Sequence, residues 1–127
     1  MPLPPGRFDN RRVVRTALVV DDHPSFRRLA CRLLTAAGYR VVAEAGDVAG
    51  GLALGRRWRP TLALVDVLLP DGSGAEVADG LAPLGVTALL TSSRGAAELG
   101  PEVARHRFLP KDQLTVDRLD RYVGGPR

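Results

Sequence analysis

Four short apolar runs in this 127-residue chain each end at a residue that can take part in chemistry. The first run ends at the carboxylate pair Asp21-Asp22, and the second ends at a single carboxylate, Asp66. The other two end at the hydroxyl of Thr91 and the amine of Lys111. One Asp after a buried strand is more often a helix cap or a turn former. Four such endings in one chain favour a shared site instead.

Phosphoryl transfer is the chemistry that these groups could share. Carboxylates crowded into one crevice repel each other, and a bound cation relieves the repulsion. Oxygen ligands favour a hard cation such as Mg²⁺ over zinc. His23 adjoins the acidic pair and could be a ligand, but we expect a loop residue because a nitrogen-binding ion would want more than one nitrogen. Lys111 and Thr91 could hold phosphoryl oxygens, and Asp66 could be the nucleophile, since carboxylates form aspartyl-phosphates.

The elements that must position these residues form an alternating β/α pattern. The segments between the apolar runs have helical patterns, so the strands should be parallel and joined by right-handed crossovers. Parallel strands place their carboxyl ends along one edge of a sheet, where open α/β folds bind ligands. The sequence therefore predicts an α/β fold with a doubly wound five-stranded parallel sheet, in a single domain whose chemical residues share one crevice.

Turn and cap residues set the predicted bounds. Strands are predicted at residues 16–20, 41–43, 62–66, 86–90 and 107–109. Helices are predicted from Pro24 to Gly38, from an Asp47 cap to about Arg57, over 75–81, from Pro101, and from Asp112 or Thr115. The apolar stripe of the first helix is Phe26, Leu29, Ala30, Leu33, Leu34 and Ala37, and that of the last is Leu119, Tyr122 and Val123. Trp58 is expected to cover the bottom of the sheet.

Composition fits one domain in a reducing compartment. A hydrophobic content of 45% is enough for a single core, and no apolar run approaches the ~20 residues of a membrane span. The opening residues 1–6 lack the apolar centre of a signal peptide, and the single cysteine, Cys31, is expected to be a packing residue. We therefore expect a cytoplasmic protein that does not contact a membrane. Residues 1–15 are expected to form a flexible arm and residues 124–127 a frayed tail.

The basic residues are almost all arginine. Of the 18 Lys and Arg residues, Lys111 is the only lysine, and a compact ammonium is well suited to a phosphate. The arginines are spread along the chain without interleaved aromatic residues, which indicates solvated surface rather than a nucleic-acid site. We expect no direct DNA binding.

Four motifs resemble the receiver domain of bacterial two-component response regulators over about residues 16–123. They are Val19-Val20-Asp21-Asp22, Leu64-Val65-Asp66 with Pro70 and Gly74, Leu89-Leu90-Thr91, and Leu109-Pro110-Lys111. The resemblance implies a flavodoxin-like (βα)5 fold and a phosphorylation switch in a phosphorelay, not an enzyme. It also implies that a sensor histidine kinase or a phosphotransfer protein donates the phosphoryl group from a phosphohistidine.

The resemblance assigns a role to each matched residue. Asp66 would accept the phosphoryl group, while Thr91 and Lys111 would hold its oxygens. Magnesium would be bound by Asp22 and Asp66 directly, by Asp21 largely through water, and by the backbone carbonyl of Leu68. Phe108 occupies the aromatic switch position and would act together with Thr91.

The chain departs from the family pattern at three places. Arg105-His106-Arg107 replaces a common Gly-Ala pair, Asp112 follows Lys111 where many relatives have proline, and the fourth helix is short. These departures leave the phosphorylation residues in place and concern the output face.

Two alternatives stay open at this point. One is a receiver-like adaptor that acts without phosphorylation. The other is a Mg²⁺-dependent phosphatase with an Asp nucleophile, of the haloacid-dehalogenase type. Such phosphatases want a second Asp two residues after the first, where this chain has Leu68. The kinase, the output partner and the oligomeric state, including a possible homodimer, are not identified by the sequence.

Overall fold

The computed structural model describes residues 14–95 and 99–122, with only the backbone of Tyr122. The predicted arm at residues 1–15, apart from its last two residues, and the predicted tail at 124–127 lie outside the described residues. None of the described helices is both long and apolar enough to cross a membrane.

Five parallel strands form the central sheet, in the order β2-β1-β3-β6-β7. The strands, with a small antiparallel hairpin made by β4 and β5, are β1 (Arg15–Val20), β2 (Tyr39–Ala45), β3 (Leu62–Asp66), β4 (Leu68–Leu69), β5 (Gly72–Ser73), β6 (Thr87–Ser92) and β7 (Arg107–Pro110). The helices are α1 (Pro24–Ala36), α2 (Val48–Trp58), α3 (Gly74–Leu81), α4 (Pro101–Ala104) and α5 (Val116–Tyr122). The predicted doubly wound five-stranded sheet is confirmed.

The sheet is buried on both faces because successive strand residues point to opposite sides. Leu18 and Val65 belong to one core cluster with residues of α2, α3 and α4. Val19 and Leu64 belong to a second cluster with residues of α1 and α5. All five residues of β3 are buried, so this central strand fixes the position of Asp66 at its end.

Side-chain caps begin three of the helices. Asp47 accepts a hydrogen bond from the Gly50 amide (2.7 Å), which confirms the predicted cap of α2. Ser73 caps α3 as part of a capping box with Glu76. Thr115, not Asp112, precedes α5, and its hydroxyl accepts a hydrogen bond from the Arg118 amide (3.1 Å).

The hairpin after β3 is tied to the start of α2 by a second carboxylate. Asp71, between β4 and β5, accepts hydrogen bonds from the amides of Val48 (2.7 Å) and Ala49 (3.1 Å). These bonds and the positive end of the helix keep the pKa of Asp71 below its ordinary value. The segment that follows Asp66 is therefore anchored to a neighbouring helix.

The structure corrects several sequence predictions. Leu29 belongs to the predicted apolar stripe of α1 but is 46% exposed, because Ala30 and Leu34 are the stripe residues that face the sheet. The β4–β5 hairpin was not predicted, and β2 extends over seven residues instead of three. Trp58 is 47% exposed at the edge of a cavity of about 430 Å³, so it covers the lower end of the sheet only partly.

The segment between α4 and β7 contacts α3 through Asp79. The guanidinium of Arg105 forms an ion pair with Asp79 at 2.9 Å, and Nε2 of His106 lies 2.9 Å from the other carboxylate oxygen. Two of the residues at which the chain departs from the family pattern therefore contact α3. In the last helix, Leu119 is buried as predicted, whereas the side chains of Tyr122 and Val123 lie outside the described part of the chain.

Candidate functional site

The carboxyl ends of β1, β3 and β6 bring the predicted residues together. Asp66, at the end of β3, is directly paired in register with Thr91 of β6. Asp21 follows β1 and is held by a hydrogen bond from its amide to the Ala45 carbonyl of β2 (2.9 Å). Asp21, Asp66 and Thr91 are all buried, so the crevice floor consists of polar groups placed by the backbone.

Lys111 bridges the two buried carboxylates. Its Nζ lies 2.8 Å from Oδ2 of Asp21 and 3.3 Å from Oδ2 of Asp66. The contact with Asp66 is a hydrogen bond, whereas the contact with Asp21 is an ion pair without hydrogen-bond alignment. Nζ also lies 4.2 Å from the centre of the Phe26 ring, a favourable cation–π distance.

The pKa values of the two buried carboxylates shift in opposite directions. Burial raises the pKa of Asp66 above its ordinary range, and the adjacent charge of Asp21 adds to the rise. Burial alone would also raise the pKa of Asp21, but the ammonium of Lys111 and hydrogen bonds from His23 favour the charged form, so its pKa is lowered. At low pH a proton therefore binds to Asp66 before it binds to Asp21.

Backbone contacts fix the loop around Asp66. The Val67 amide donates to the Thr91 carbonyl (2.9 Å), and the Gly74 amide donates to the Val67 carbonyl (2.8 Å). The Leu68 amide donates to Oδ1 of Asp66 itself (3.2 Å). Gly74 packs so tightly against the end of β3 that an added Cβ would lie 2.3 Å from the Asp66 carbonyl oxygen.

Thr91 and Phe108 lie on neighbouring strands. The hydroxyl of Thr91 is buried and has no hydrogen-bond partner among the described residues. Phe108, on β7, is half-buried and borders a cavity of about 500 Å³ that it shares with Leu99 and Val103. An unsatisfied buried hydroxyl is costly, so this one is suited to accept a partner that arrives from the crevice.

The oxygen groups fit a hard cation. One ligand atom from each of Asp21, Asp22, His23 and Asp66 can be chosen so that all four lie within 4.8 Å of one another. Three of these four are carboxylates, the donor type that Mg²⁺ prefers. The arrangement supports Asp21, Asp22 and Asp66 as metal ligands, and the role of the Leu68 carbonyl stays a prediction.

His23 lies in the loop before α1, as expected, and its ring contacts the acidic pair. The sequence left open that it could be a ligand, and its Nδ1 lies 2.9 Å from Oδ1 of Asp21 and 3.2 Å from Oδ1 of Asp22. Pro24 is the first residue of α1 and restricts the backbone of the residue before it.

The family model described as "Response regulator receiver domain" matches residues 17–112. A curated relative, the probable transcriptional regulatory protein TcrX of Mycobacterium tuberculosis, is 36% identical over 85 residues, which cover 65% of this chain and 36% of that protein. The nitrate/nitrite response regulator protein NarP of Escherichia coli is 37% identical over 86 residues, covering 65% of this chain and 40% of that protein. The matched part thus spans well under half the length of these relatives.

A solved structure shares the fold over most of both chains. The signal receiver domain of the putative response regulator NarL from Mycobacterium tuberculosis superimposes with a TM-score of 0.76 at 30% identity. The superposition covers 89% of this chain and 98% of that one.

Proposed function

This chain belongs to the response regulator receiver domain family, and we propose that Asp66 is the residue through which it is switched by phosphorylation. The observation that carries the proposal is the placement of one buried carboxylate at the end of the central strand, 3.3 Å from Lys111 and paired with Thr91. A cation, a carboxylate and a free hydroxyl at one point form a receptacle for a phosphoryl group.

The proposed reaction is an in-line transfer from a phosphohistidine. A carboxylate oxygen of Asp66 forms a bond to phosphorus as the phosphorus–nitrogen bond breaks, and the departing imidazole keeps the electron pair of that bond. Burial raises the pKa of Asp66, and a more basic carboxylate is a better nucleophile than an ordinary one. Lys111 neutralises phosphoryl oxygens, and the Thr91 hydroxyl donates a hydrogen bond to one of them.

We propose Mg²⁺ as the cofactor, with Asp22 and Asp66 as direct ligands, Asp21 acting largely through water, and the Leu68 carbonyl completing the protein ligands. When bound, the ion would neutralise negative charge on the phosphoryl oxygens during the transfer. The close carboxylates of the crevice support this assignment, because without a cation only Lys111 and the His23 ring lie within ion-pairing distance of them in the described residues.

We propose that phosphorylation of Asp66 changes the protein surface through coupled movements of Thr91 and Phe108. A hydrogen bond from the Thr91 hydroxyl to the phosphoryl group would draw its side chain toward Asp66. Phe108 is the half-buried aromatic ring on the adjacent strand, and the cavity beside it gives the ring room to turn. The surface formed by α4, β7 and α5 would change as a result, as expected for a two-state element biased by a ligand.

The partners follow from the same proposal. A sensor histidine kinase or a phosphotransfer protein would donate the phosphoryl group in the cytoplasm, the location we propose. We set the domain at residues 16–123, in line with the family match over 17–112. The relatives TcrX and NarP carry names of transcriptional and response regulators, yet we propose that residues 16–123 do not themselves read a DNA sequence. The adaptor and phosphatase alternatives gain no support from these relatives.

Intact-mass spectrometry tests the phosphoacceptor. Protein incubated with Mg²⁺ and acetyl phosphate should gain the mass of one phosphoryl group, and the Asp66→Asn variant should gain none. Asp117→Asn is the matched control, because Asp117 is an exposed carboxylate on α5. Labelling of Asp66→Asn to the level of the control would reject the assignment, and an unlabelled wild type would favour the adaptor.

A further inference from the structure

The ring of His23 contacts the carboxylate cluster through one nitrogen. Its Nδ1 is 2.9 Å from Asp21 Oδ1, 3.2 Å from Asp22 Oδ1 and 3.9 Å from Asp66 Oδ2. The side chain is still 61% exposed, so the ring reaches the cluster from the solvent side.

These three spacings are compatible with positions around one octahedral ion. With metal–ligand bonds of about 2.1 Å, neighbouring ligands are separated by about 3.0 Å and opposite ligands by about 4.2 Å. The Nδ1 distances to Asp21 and Asp22 match neighbouring positions, and the distance to Asp66 approaches the opposite one. One ligand atom from each of Asp21, Asp22, His23 and Asp66 lies within 4.8 Å of the other three, so the four groups are close enough to share one ion.

The backbone holds the ring in place from below. The His23 amide donates to Asp21 Oδ1 (2.8 Å), the same oxygen that the ring contacts. The other oxygen of Asp21 faces Lys111, which leaves Oδ1 for the side occupied by His23. His23 is also the residue that immediately precedes α1, where Pro24 begins the helix.

The chemistry of the ring depends on what occupies the cluster. Nδ1 lies within hydrogen-bond distance of Asp21 Oδ1, and its role as donor or acceptor depends on the tautomer of the ring. With an ion bound, the neutral ring can hold its proton on Nε2 and offer the Nδ1 lone pair as a ligand. Imidazole nitrogen suits first-row transition ions, whereas Mg²⁺ favours oxygen ligands.

We propose that His23 is a selectivity ligand: it coordinates a transition-metal dication through Nδ1 and raises the affinity of the crevice for such an ion relative to Mg²⁺. The inference rests on the proposed function in that both use the cluster of Asp21, Asp22 and Asp66. It adds a fourth side chain and a second class of metal to that site.

Metal titrations of tag-free protein test the selectivity. Calorimetric affinities for Ni²⁺ and for Mg²⁺ would be measured in wild type and in His23→Phe, which keeps a ring but has no nitrogen. In His23→Phe the Ni²⁺ affinity should fall by roughly tenfold or more, because loss of even an outer-shell partner of a metal ligand costs about that much. The Mg²⁺ affinity should change far less. His106→Phe is the matched control, because His106 is the second histidine of the chain and lies beside Asp79. An unchanged ratio of the two affinities in His23→Phe would overturn the proposal.

A second measurement uses the wild-type protein alone, so it does not depend on how a variant folds. Nitrogen-15 NMR of the histidine rings during a Zn²⁺ titration should show the shift of a metal-bound nitrogen at Nδ1 of His23. A shift at Nε2, or none at His23, would reject the coordination. The phosphorylation assay uses Mg²⁺ only, so an unlabelled wild type there would reject the proposed function without affecting either result here.

Discussion

Replacing Gly74 by alanine should damage both the stability of the domain and its phosphorylation. Gly74 is the first residue of α3, and its amide already donates to the Val67 carbonyl next to Asp66. An added Cβ would lie 2.3 Å from the Asp66 carbonyl oxygen and 2.9 Å from Cγ1 of Val65. The neighbour is backbone of the most deeply buried strand, so it cannot rotate away as a flexible side chain would.

The size of the effect follows from that distance. Ordinary contacts begin at 3.4 Å, so the helix and the strand must separate by about 1 Å. Overpacking of this kind costs about 1–3 kcal/mol, and contact with backbone favours the upper end. The higher helix propensity of alanine returns at most about 1 kcal/mol. The net loss should be about 2 kcal/mol, and at about 4 °C per kcal/mol the melting temperature should fall by about 8 °C.

The same displacement acts on the nucleophile. Misplacing a reacting group by about 1 Å can cost on the order of a hundredfold in rate, so phosphorylation of Gly74→Ala by acetyl phosphate should slow at least tenfold. Calorimetry and time-resolved intact-mass measurements check the two effects.

Gly46→Ala is the matched control for this prediction. Gly46 also borders the crevice, but its added Cβ would meet nothing closer than 3.7 Å, at Nη1 of Arg27. This control should stay within about 0.5 kcal/mol of wild type. If Gly74→Ala melted and reacted like Gly46→Ala, the argument from close approach would be refuted.

Three further outcomes are expected. In metal-free protein, carbon-13 NMR should show Asp66 titrating above and Asp21 below the ordinary aspartate pKa of about 3.9. The lowered pKa of Asp21 contributes stability that is lost as pH falls, whereas the raised pKa of Asp66 contributes stability that is lost as pH rises through it. The opposite order of the two pKa values would contradict the assignment of Lys111 and His23 to Asp21. Asp47→Ala should lower the free energy of unfolding in urea by about 1 kcal/mol through loss of the α2 cap, and no change would mean that the cap contributes nothing. Thr91→Ala should still accept the phosphoryl group but lose most of the NMR shift response across residues 99–122, and a wild-type response there would reject the proposed route.

Matched variants separate these effects from general damage. Asp117→Ala removes an exposed carboxylate from the first turn of α5 but no side-chain cap, and it should lower the urea midpoint less than Asp47→Ala does. Thr87→Ala alters the far end of the strand that carries Thr91 and should keep the phosphorylated shift pattern.

The meeting of the chemical residues at one sheet edge could be predicted from the sequence because it depends on periodicity and on the geometry of parallel sheets. Buried runs that end at Asp21, Asp66, Thr91 and Lys111 must meet at one edge once the strands are parallel. The cap at Asp47 was equally predictable, since it depends on residues only three positions apart.

What could not be predicted depends on contacts between distant segments. Leu29 has the spacing of the apolar stripe, but only the angle at which α1 packs decides that it faces solvent. The β4–β5 hairpin is held by a hydrogen bond between Asp71 and the Val48 amide at the start of α2, which lies more than twenty positions earlier in the chain. His23 enters the carboxylate cluster because the backbone turn before Pro24 aims it there, and residue type alone carries no such direction.

The contact between Lys111 and the Phe26 ring affects the entropy cost of binding a phosphoryl group. A free lysine side chain loses up to about 2 kcal/mol of conformational entropy when it is fixed. Here the Phe26 ring and the two buried carboxylates restrict Lys111 already in the unphosphorylated domain. Lys111 is therefore ordered during folding, before any phosphoryl group arrives. Its ammonium then only has to replace carboxylate contacts by contacts with phosphoryl oxygens.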